Sequence, residues 1–381
     1  MRLRSAHWGL VVVLFSGAVT AAQSNNEQQA EQGFDVIYAD SLPSNIADQA
    51  VLIDFADAGS RTVTVGAHGD VLFRSNEQDQ WQKAQVATSV LLTSVDFANP
   101  KQGWAVGHHG VIIHTSDGGQ SWQRQFTGFD LISLEAQFYQ NKVKQLQQQL
   151  AANPDDSDLS YALDDAQFQL QNVEIAQQEG PSKPLLSVYA VDANTLLASG
   201  AYGTLLKSDD GGKQWRLASD AIDNPNGFHL NALCGSGNKL FIAGEAGLVF
   251  RSNDAGATWQ TLTSPYNGSF FGCHVDAQDN LWIYGLRGHA FRSSDWGDSF
   301  SAVTTNTSVN LSGGYSTADG TTYLVGHSGT IVKWRADDVK VYTHPSGAVL
   351  TNIHPNPNGG WWLVGRQGVL SWSESQQAAQ K

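Results

Sequence analysis

Short alternations of apolar and polar residues, separated by glycine-rich turns, run through most of this 381-residue chain. The clearest stretch is GEAGLVFRSNDAGATW at residues 244–259, which reads as a tight turn, an apolar strand, a polar turn and a tryptophan. In the polar turn an aspartate can accept hydrogen bonds from backbone amides, and a glycine can adopt positive φ. The pattern therefore predicts a β-hairpin.

The same pattern recurs along the chain in seven copies. Each copy has a Gly-x-x-Gly turn, and these turns begin at Gly66, Gly107, Gly200, Gly244, Gly285, Gly326 and Gly365. The interval is close to 41 residues, apart from one of 93 residues between the second and third turns. Four short strands in a unit of this length are typical of a β-propeller. A single such sheet cannot bury both faces, so we expect an all-β, seven-bladed β-propeller over residues 34–373.

The seventh copy ends near Trp372 after three strands. Residues 34–40 alternate apolar and polar side chains, as a strand does. We therefore expect residues 34–40 to supply the outer strand of the last blade. This pairing would close the ring and cover two exposed strand edges.

The long interval is predicted to contain two helices. Apolar residues recur at helical spacing in two runs, which Asn153-Pro154 separates. Two amphipathic helices joined by a short turn should form an antiparallel α-helical hairpin, here over residues 129–180. The insertion follows the outer strand of the second copy and precedes the inner strand of the third. It is therefore a crossover between blades, and it should rise from the face that carries the Gly-x-x-Gly turns.

The polar turns resemble the Asp-box, or BNR, repeats of bacterial sialidases. The segments VGHHGVIIHTSDGGQSW and SGAYGTLLKSDDGGKQW are most similar to the photosystem II stability/assembly factor-like family of propellers. The resemblance covers nearly all of the chain that follows the predicted signal, except the insertion. It implies a non-enzymatic, protein-binding factor that stabilises or assembles a membrane-associated complex. Bacterial proteins of this type resemble accessory proteins of envelope transporters, which makes such a transporter one possible partner.

The ends of the chain differ from the repeats. Residues 1–22 have the positive start, apolar core and small-residue cleavage site of a signal peptide. We expect a periplasmic or secreted protein with no direct membrane insertion after cleavage. Residues 23–33 form a polar leader, and residues 374–381 a polar tail. With 22 basic and 36 acidic residues, the net charge of −14 argues against nucleic acid as a partner.

The two cysteines, Cys234 and Cys273, fall in the innermost strands of adjacent copies. An oxidising compartment would permit a disulfide bond between them. Such a bond needs Cα atoms within about 7 Å of each other, and inner strands of neighbouring blades can lie further apart. Both a bridge and two buried thiols remain open.

The middle residues of the Gly-x-x-Gly turns form the candidate recognition surface, which we call the rim. Solvated turn residues, a surface for a protein partner or an anionic group, and a metal site are the alternatives. A metal needs side chains that converge on one point, which the spacing of blades makes difficult, so neither a metal nor a cofactor is expected. The rim residues are His68, His108, His109, Tyr202, Glu245, Arg287, His327 and Arg366.

The aspartates of the polar turns are interpreted as structural. A catalytic acid would be unique, whereas these recur with a glycine and an aromatic residue at Asp117, Asp210, Asp254 and Asp295. The alternative function is a glycan-binding or sialidase-like glycoside hydrolase propeller. The rim offers only Arg287 and Arg366 toward an arginine triad, and the chain has no Gly-x-Ser-x-Gly or His-Glu-x-x-His motif. We therefore expect no catalytic residue.

Overall fold

A computed structural model describes residues 35–75, 80–336 and 338–375 of the chain. The predicted signal peptide, the predicted polar leader, Phe34 and residues 376–381 of the predicted tail lie outside this part. Within it, the strands form seven sheets: five of four strands, one of five and one of three.

The strands follow one another from the centre of the molecule outwards in each sheet, except that the short strand Gln85–Val86 lies at the outer edge of the second sheet. The first three sheets comprise β1 (Leu52–Asp57), β2 (Arg61–Gly66), β3 (Val71–Ser75) and β4 (Gln82–Lys83); β5 (Gln85–Val86), β6 (Leu92–Phe97), β7 (Gly103–Gly107), β8 (Ile112–Thr115) and β9 (Ser121–Phe126); and β10 (Leu185–Ala190), β11 (Leu196–Gly200), β12 (Leu205–Ser208) and β13 (Arg216–Leu217).

The remaining four sheets comprise β14 (Ala232–Ser236), β15 (Lys239–Ala243), β16 (Val249–Ser252) and β17 (Gln260–Thr261); β18 (Phe270–Val275), β19 (Leu281–Gly285), β20 (Ala290–Ser293) and β21 (Ser301–Val303); β22 (Leu311–Ser316), β23 (Thr322–Gly326), β24 (Thr330–Arg335) and β25 (Asp338–Thr343); and β26 (Leu350–Pro355), β27 (Trp361–Gly365) and β28 (Leu370–Trp372). Except for β5, which pairs parallel to β9, neighbouring strands are antiparallel.

The seven sheets form a closed ring. Each innermost strand contacts the innermost strands of the two neighbouring sheets, and β26 of the last sheet contacts β1 of the first. Two hydrogen bonds join the last sheet to the first: Thr351 Oγ1 donates to Leu52 O at 3.0 Å, and Asn352 Nδ2 donates to Asp54 Oδ1 at 2.6 Å. The second strand of each sheet is almost wholly buried, because neighbouring sheets cover both of its faces. The predicted seven-bladed β-propeller is confirmed.

The predicted closing strand is wrong for residues 35–40. These residues form a turn in which the amides of Tyr38 and Ala39 both donate to Asp35 O. The turn lies against the segment that links the first two sheets, where Ser89 N donates to Val36 O. Alternation over so few residues does not fix a partner strand, and here the backbone groups are satisfied locally. The described part of the last sheet keeps three strands.

Each polar turn is held by its aspartate. In the fourth sheet, Asp254 Oδ1 accepts from Ser252 Oγ at 2.8 Å and from Thr258 N at 2.9 Å, and its Oδ2 accepts from Thr258 Oγ1 at 2.6 Å. These bonds, with that from the Thr258 hydroxyl foremost, lower the pKa of Asp254 to about 2. Equivalent bonds occur at Asp117, Asp210 and Asp295. Each of these aspartates is ionised and its carboxylate accepts hydrogen bonds from its own turn, so that its role is to hold the hairpin closed.

The insertion is an antiparallel helical hairpin, as predicted. Helix α1 (Gly128–Ala152) and helix α2 (Ser157–Glu179) pack together through residues that include Ile132, Ala136 and Val173. At the start of α1 the Asp130 carboxylate accepts from the amide and the hydroxyl of Thr127, which fixes the first turn.

The two cysteines form a disulfide bond. Cys234 lies on β14 and Cys273 on β18, the innermost strands of the fourth and fifth sheets, and their Cα atoms are 6.0 Å apart. The alternative of two buried thiols is thereby excluded. The bond is a covalent link between two blades that are adjacent in both sequence and space.

Candidate functional site

The Gly-x-x-Gly turns share one backbone conformation. In six of them the third residue has positive φ although it is not glycine: His68, His109, Tyr202, Ala246, Arg287 and Ser328. Both flanking glycines are needed because backbone atoms approach them closely, from the start of β1 in the same sheet at Gly66 and from the segment before β6 of the next sheet at Gly69. A Cβ on Gly66 would lie 2.1 Å from Val51 O, and one on Gly69 would lie 2.1 Å from Thr88 O. The turns thus project their two middle residues away from a tightly packed base.

The rim residues are placed as the sequence suggested, one or two to each turn, but most of them do not meet. The side chains of His68, His108, Arg287, His327 and Arg366 are exposed. No hydrogen bond or salt bridge within the described residues joins any two of these five. The same part of the chain has no group of three or more His, Cys, Asp or Glu residues arranged to hold a metal ion. These five rim side chains are therefore separate from one another.

One rim cluster does form, between the third and fourth blades. The ring of Tyr202 lies edge-on to that of His229 at 5.0 Å, and Tyr202 N donates to His229 Nδ1 at 3.2 Å. His229 N in turn donates to Glu245 Oε2 at 3.1 Å. His229 was missed by sequence reasoning because it lies in the loop before β14, outside the repeated turn. Tyr202 remains 63% exposed above this cluster.

The hairpin is rooted on the same face as the rim. His109 Nδ1 lies 2.8 Å from Pro181 O, and Gly128 packs against the His109 carbonyl so closely that no side chain would fit. Beneath this contact, Lys183 Nζ donates to both carboxylate oxygens of the buried Glu135 at 2.7 and 2.9 Å. These contacts bind the base of the hairpin to the turn of the second blade, which is the placement inferred from strand direction.

A recess of about 610 Å³ opens beside His68. Its walls are mainly apolar and come from the segment that precedes β1, including Leu42, Pro43 and Ile46. Two of these side chains are largely exposed, Leu42 at 70% and Ile46 at 62%. At its base Lys83 Nζ bonds to the Asp70 carboxylate and to Leu42 O, so that the buried charges are paired. The recess can accept an apolar side chain.

Tyr38, two residues along the chain from Val36 of the recess wall, contacts the root of the hairpin. The ring of Tyr38 stacks on that of Phe129, the second residue of α1, with centroids 6.4 Å apart. Both rings remain more than 40% exposed. The Arg124 guanidinium lies over the Tyr38 ring, 4.7 Å from its centroid, and donates to Ile37 O. We call Tyr38, Leu42, Ile46, His68 and Phe129 the recess surface. Sequence reasoning missed it, since it depends on where residues 35–50 pack.

The central channel is a second cavity, of about 590 Å³, lined by the innermost strands. It contains two carboxyl groups, both of which bind the backbone of the next blade. Asp54 Oδ2 accepts from Val95 N at 3.0 Å, and Asp96 Oδ2 accepts from Ala190 N at 2.8 Å. Burial raises the pKa of Asp54, and it raises that of Asp96 to about 7. These groups connect blades and have few free lone pairs for a ligand.

The described lining of the channel does not contain the arginines of a sialidase site. Among the described residues that line it, none is an arginine. Arg287 and Arg366, the two rim arginines, lie in the turns of the fifth and seventh blades, with the sixth between them. His274, the one histidine in this lining, has its pKa lowered to about 4 by burial, and its Nε2 bonds to Ser316 Oγ. Nothing in this arrangement favours glycoside hydrolysis.

The repeats match a known family. The family described as photosynthesis system II assembly factor YCF48 matches residues 73–148 and 167–267, somewhat less than half of the chain. The photosystem II stability/assembly factor HCF136, chloroplastic, of Cyanidioschyzon merolae (strain NIES-3377 / 10D), is 36% identical over 45 residues. That match covers 11% of this chain and 10% of the relative. The predicted resemblance to the assembly-factor family is confirmed.

Solved structures agree with the assembly-factor family on the fold. YCF48 bound to D1 peptide superposes with a TM-score of 0.57 at 14% identity, covering 88% of this chain and 96% of that one. YCF48 from Cyanidioschyzon merolae superposes with a TM-score of 0.55 at 13% identity, covering 87% of this chain and 97% of that one. The WD40 β-propeller domain of Doa1 superposes with a TM-score of 0.56 at 13% identity, covering 89% of this chain and 97% of that one. At these identities the likeness concerns the fold alone.

The helices of the hairpin are not membrane spans. Within the residues that the structure describes, neither α1 nor α2 combines the length with the apolar character that crossing a bilayer requires.

Proposed function

We propose that this protein is an exported, non-enzymatic propeller that binds a segment of another protein at the recess surface. In this role it acts as an assembly or accessory factor for a membrane-associated complex, with an envelope transporter as one candidate. The observation that carries the proposal is the recess surface itself. The largely exposed Leu42 and Ile46 line a concave site of about 610 Å³, and the exposed rings of Tyr38 and Phe129 stack on each other at the root of the hairpin.

Three further features support the proposal. The resemblance is to an assembly-factor family, and a structure similar in fold is that of YCF48 bound to D1 peptide. The disulfide bond between Cys234 and Cys273 fits an oxidising compartment, as export would provide. Exposed apolar side chains rimmed by polar ones are typical of surfaces that bind other proteins. A peptide that places an apolar side chain beside Leu42 and Ile46 would bury them.

The test is crosslinking in the native envelope, followed by affinity purification and quantitative mass spectrometry. Ile46→Asp puts a charge in the recess, while the matched control Val341→Asp alters a residue that is also exposed, on the outer strand of the sixth sheet. We expect one membrane-associated protein to be recovered with the wild type and with Val341→Asp, and at least tenfold less of it with Ile46→Asp. Equal recovery with Ile46→Asp would contradict the recess as the site.

The non-enzymatic part of the proposal has its own assay. A fluorogenic sialoside incubated with the purified protein should give no more product than buffer alone. Turnover that follows the protein through purification would reject this part and favour a hydrolase.

A further inference from the structure

The second helix of the hairpin carries an exposed apolar stripe that the ring does not use. Tyr161, Phe168 and Ile175 are 73%, 59% and 46% exposed. They follow one another at seven-residue spacing, so that at 100° per residue they drift only about 20° at each step. With a rise of 1.5 Å per residue, they lie about 10 Å apart along one line. This is the spacing of one position of a heptad repeat.

The stripe faces away from the first helix. Ala166 and Val173, which are buried against α1, follow Tyr161 and Phe168 by five residues, or about 140° around the helix axis. The packing of the hairpin therefore leaves the stripe on the opposite side of α2. Removing these three side chains should leave the contact between the helices intact.

The charge beside the stripe is of one sign. Helix α2 contains five acidic residues and no lysine or arginine. Asp164 and Asp165 lie on either side of the line from Tyr161 to Phe168, and both are exposed. None of the α2 carboxylates forms a salt bridge with a basic residue in the described part of the chain. An apolar line between carboxylates can bind a helix whose own apolar line lies between basic side chains.

We propose that α2 is a docking surface for a basic amphipathic helix of a partner protein, with Tyr161, Phe168 and Ile175 as the apolar contacts. The charge argues against the other candidates for this surface. A second copy of the chain would place carboxylates against carboxylates, and an anionic membrane surface would repel them. The surface is separate from the recess surface, so this proposal does not rest on the proposed function.

The test uses two fluorescein-labelled synthetic peptides of three heptads and the full mature chain. Both peptides have leucine at positions a and d; one has lysine at e and g, and the other glutamate. Fluorescence anisotropy at low ionic strength should show the lysine peptide binding at least tenfold more tightly than the glutamate peptide. Binding of the lysine peptide should weaken as salt is raised.

Three variants decide whether α2 is the site. The affinity for the lysine peptide should fall at least tenfold in the triple variant Tyr161→Gln/Phe168→Gln/Ile175→Gln, while the helical circular dichroism stays unchanged. Asp164→Lys/Asp165→Lys should shift the preference toward the glutamate peptide without removing any apolar contact. The matched control Gln140→Ser/Gln147→Ser, on exposed positions of α1 at the same spacing, should bind as the wild type does.

Several results would overturn the proposal. Equal affinity for the two peptides, or full affinity in the triple variant, would show that the stripe and its charge do not select a basic helix. Sedimentation velocity provides a further check on the wild type. A dimer that forms with rising concentration and is lost in the triple variant would show that a second copy covers the stripe.

Discussion

Removing the disulfide bond between Cys234 and Cys273 should lower the stability of the ring by an amount that the structure allows us to work out. The two residues are 39 apart in sequence, so the bond closes a loop of roughly 40 residues in the unfolded chain. In the chain-entropy account of a disulfide, a loop of this length corresponds to about 4 kcal/mol at 25 °C. Since the bond joins two innermost strands that also contact each other, its removal should leave the fold intact.

The assay is urea unfolding followed by tryptophan fluorescence, for the wild type and for Cys234→Ala/Cys273→Ala. With an m-value of about 3 kcal/mol per molar urea, the midpoint of the variant should lie about 1.3 M lower. Wild type in reductant should unfold near the variant, while the variant itself should not respond to reductant. A wild-type midpoint that reductant leaves unchanged would refute the reasoning. So would two free thiols in protein unfolded without reduction.

Three further predictions concern single side chains. Burial raises the pKa of Asp96 from 3.8 to about 7. The free energy of unfolding should therefore be highest below pH 4 and should fall as the pH rises toward 7, by at most about 4 kcal/mol. Asp96→Asn should flatten this pH dependence in urea midpoints measured from pH 4 to 8. Lys183→Met leaves the buried Glu135 without its partner and should cost about 2 kcal/mol in chemical unfolding, while Glu135→Gln/Lys183→Met should recover part of that. Asp254→Ala removes the acceptor of three hydrogen bonds and should cost about 1 kcal/mol in the same assay, unless the turn is held by its glycine alone.

The repeated parts of the fold could be predicted because the same residue types recur wherever the same local geometry requires them. Gly66 and Gly69 are glycines because backbone carbonyl oxygens, that of Val51 beside β1 of the same sheet and that of Thr88 before β6 of the next, occupy the space of a Cβ. Asp254 recurs as an aspartate because a hairpin turn needs its two oxygens. Seven copies of the glycine turn, four of them followed by the aspartate turn, indicated both the number of blades and the face from which the hairpin rises.

The non-repeated parts could not be predicted in the same way. Residues 35–40 alternate like a strand, yet they form a turn, and only the packing of the first two sheets decides between these outcomes. The recess depends on the path of residues 41–50, which no periodicity describes. Whether the two cysteines could form a disulfide depended on the distance between their Cα atoms, which is 6.0 Å. Spacing along the chain does not determine that distance. The stripe from Tyr161 to Ile175 was visible in the sequence at seven-residue spacing, but its exposure became clear only once Ala166 and Val173 were seen against α1.

The point at which the hairpin enters and leaves the ring has a consequence for how such proteins can diversify. Thr127 follows the last residue of one blade and Pro184 precedes the first residue of the next, so the insertion interrupts no ladder of hydrogen bonds. Residues 129–180 are in effect an exchangeable module on an unchanged scaffold. A chimaera that carries a different helical pair at this junction should fold as the same propeller and recognise a different target.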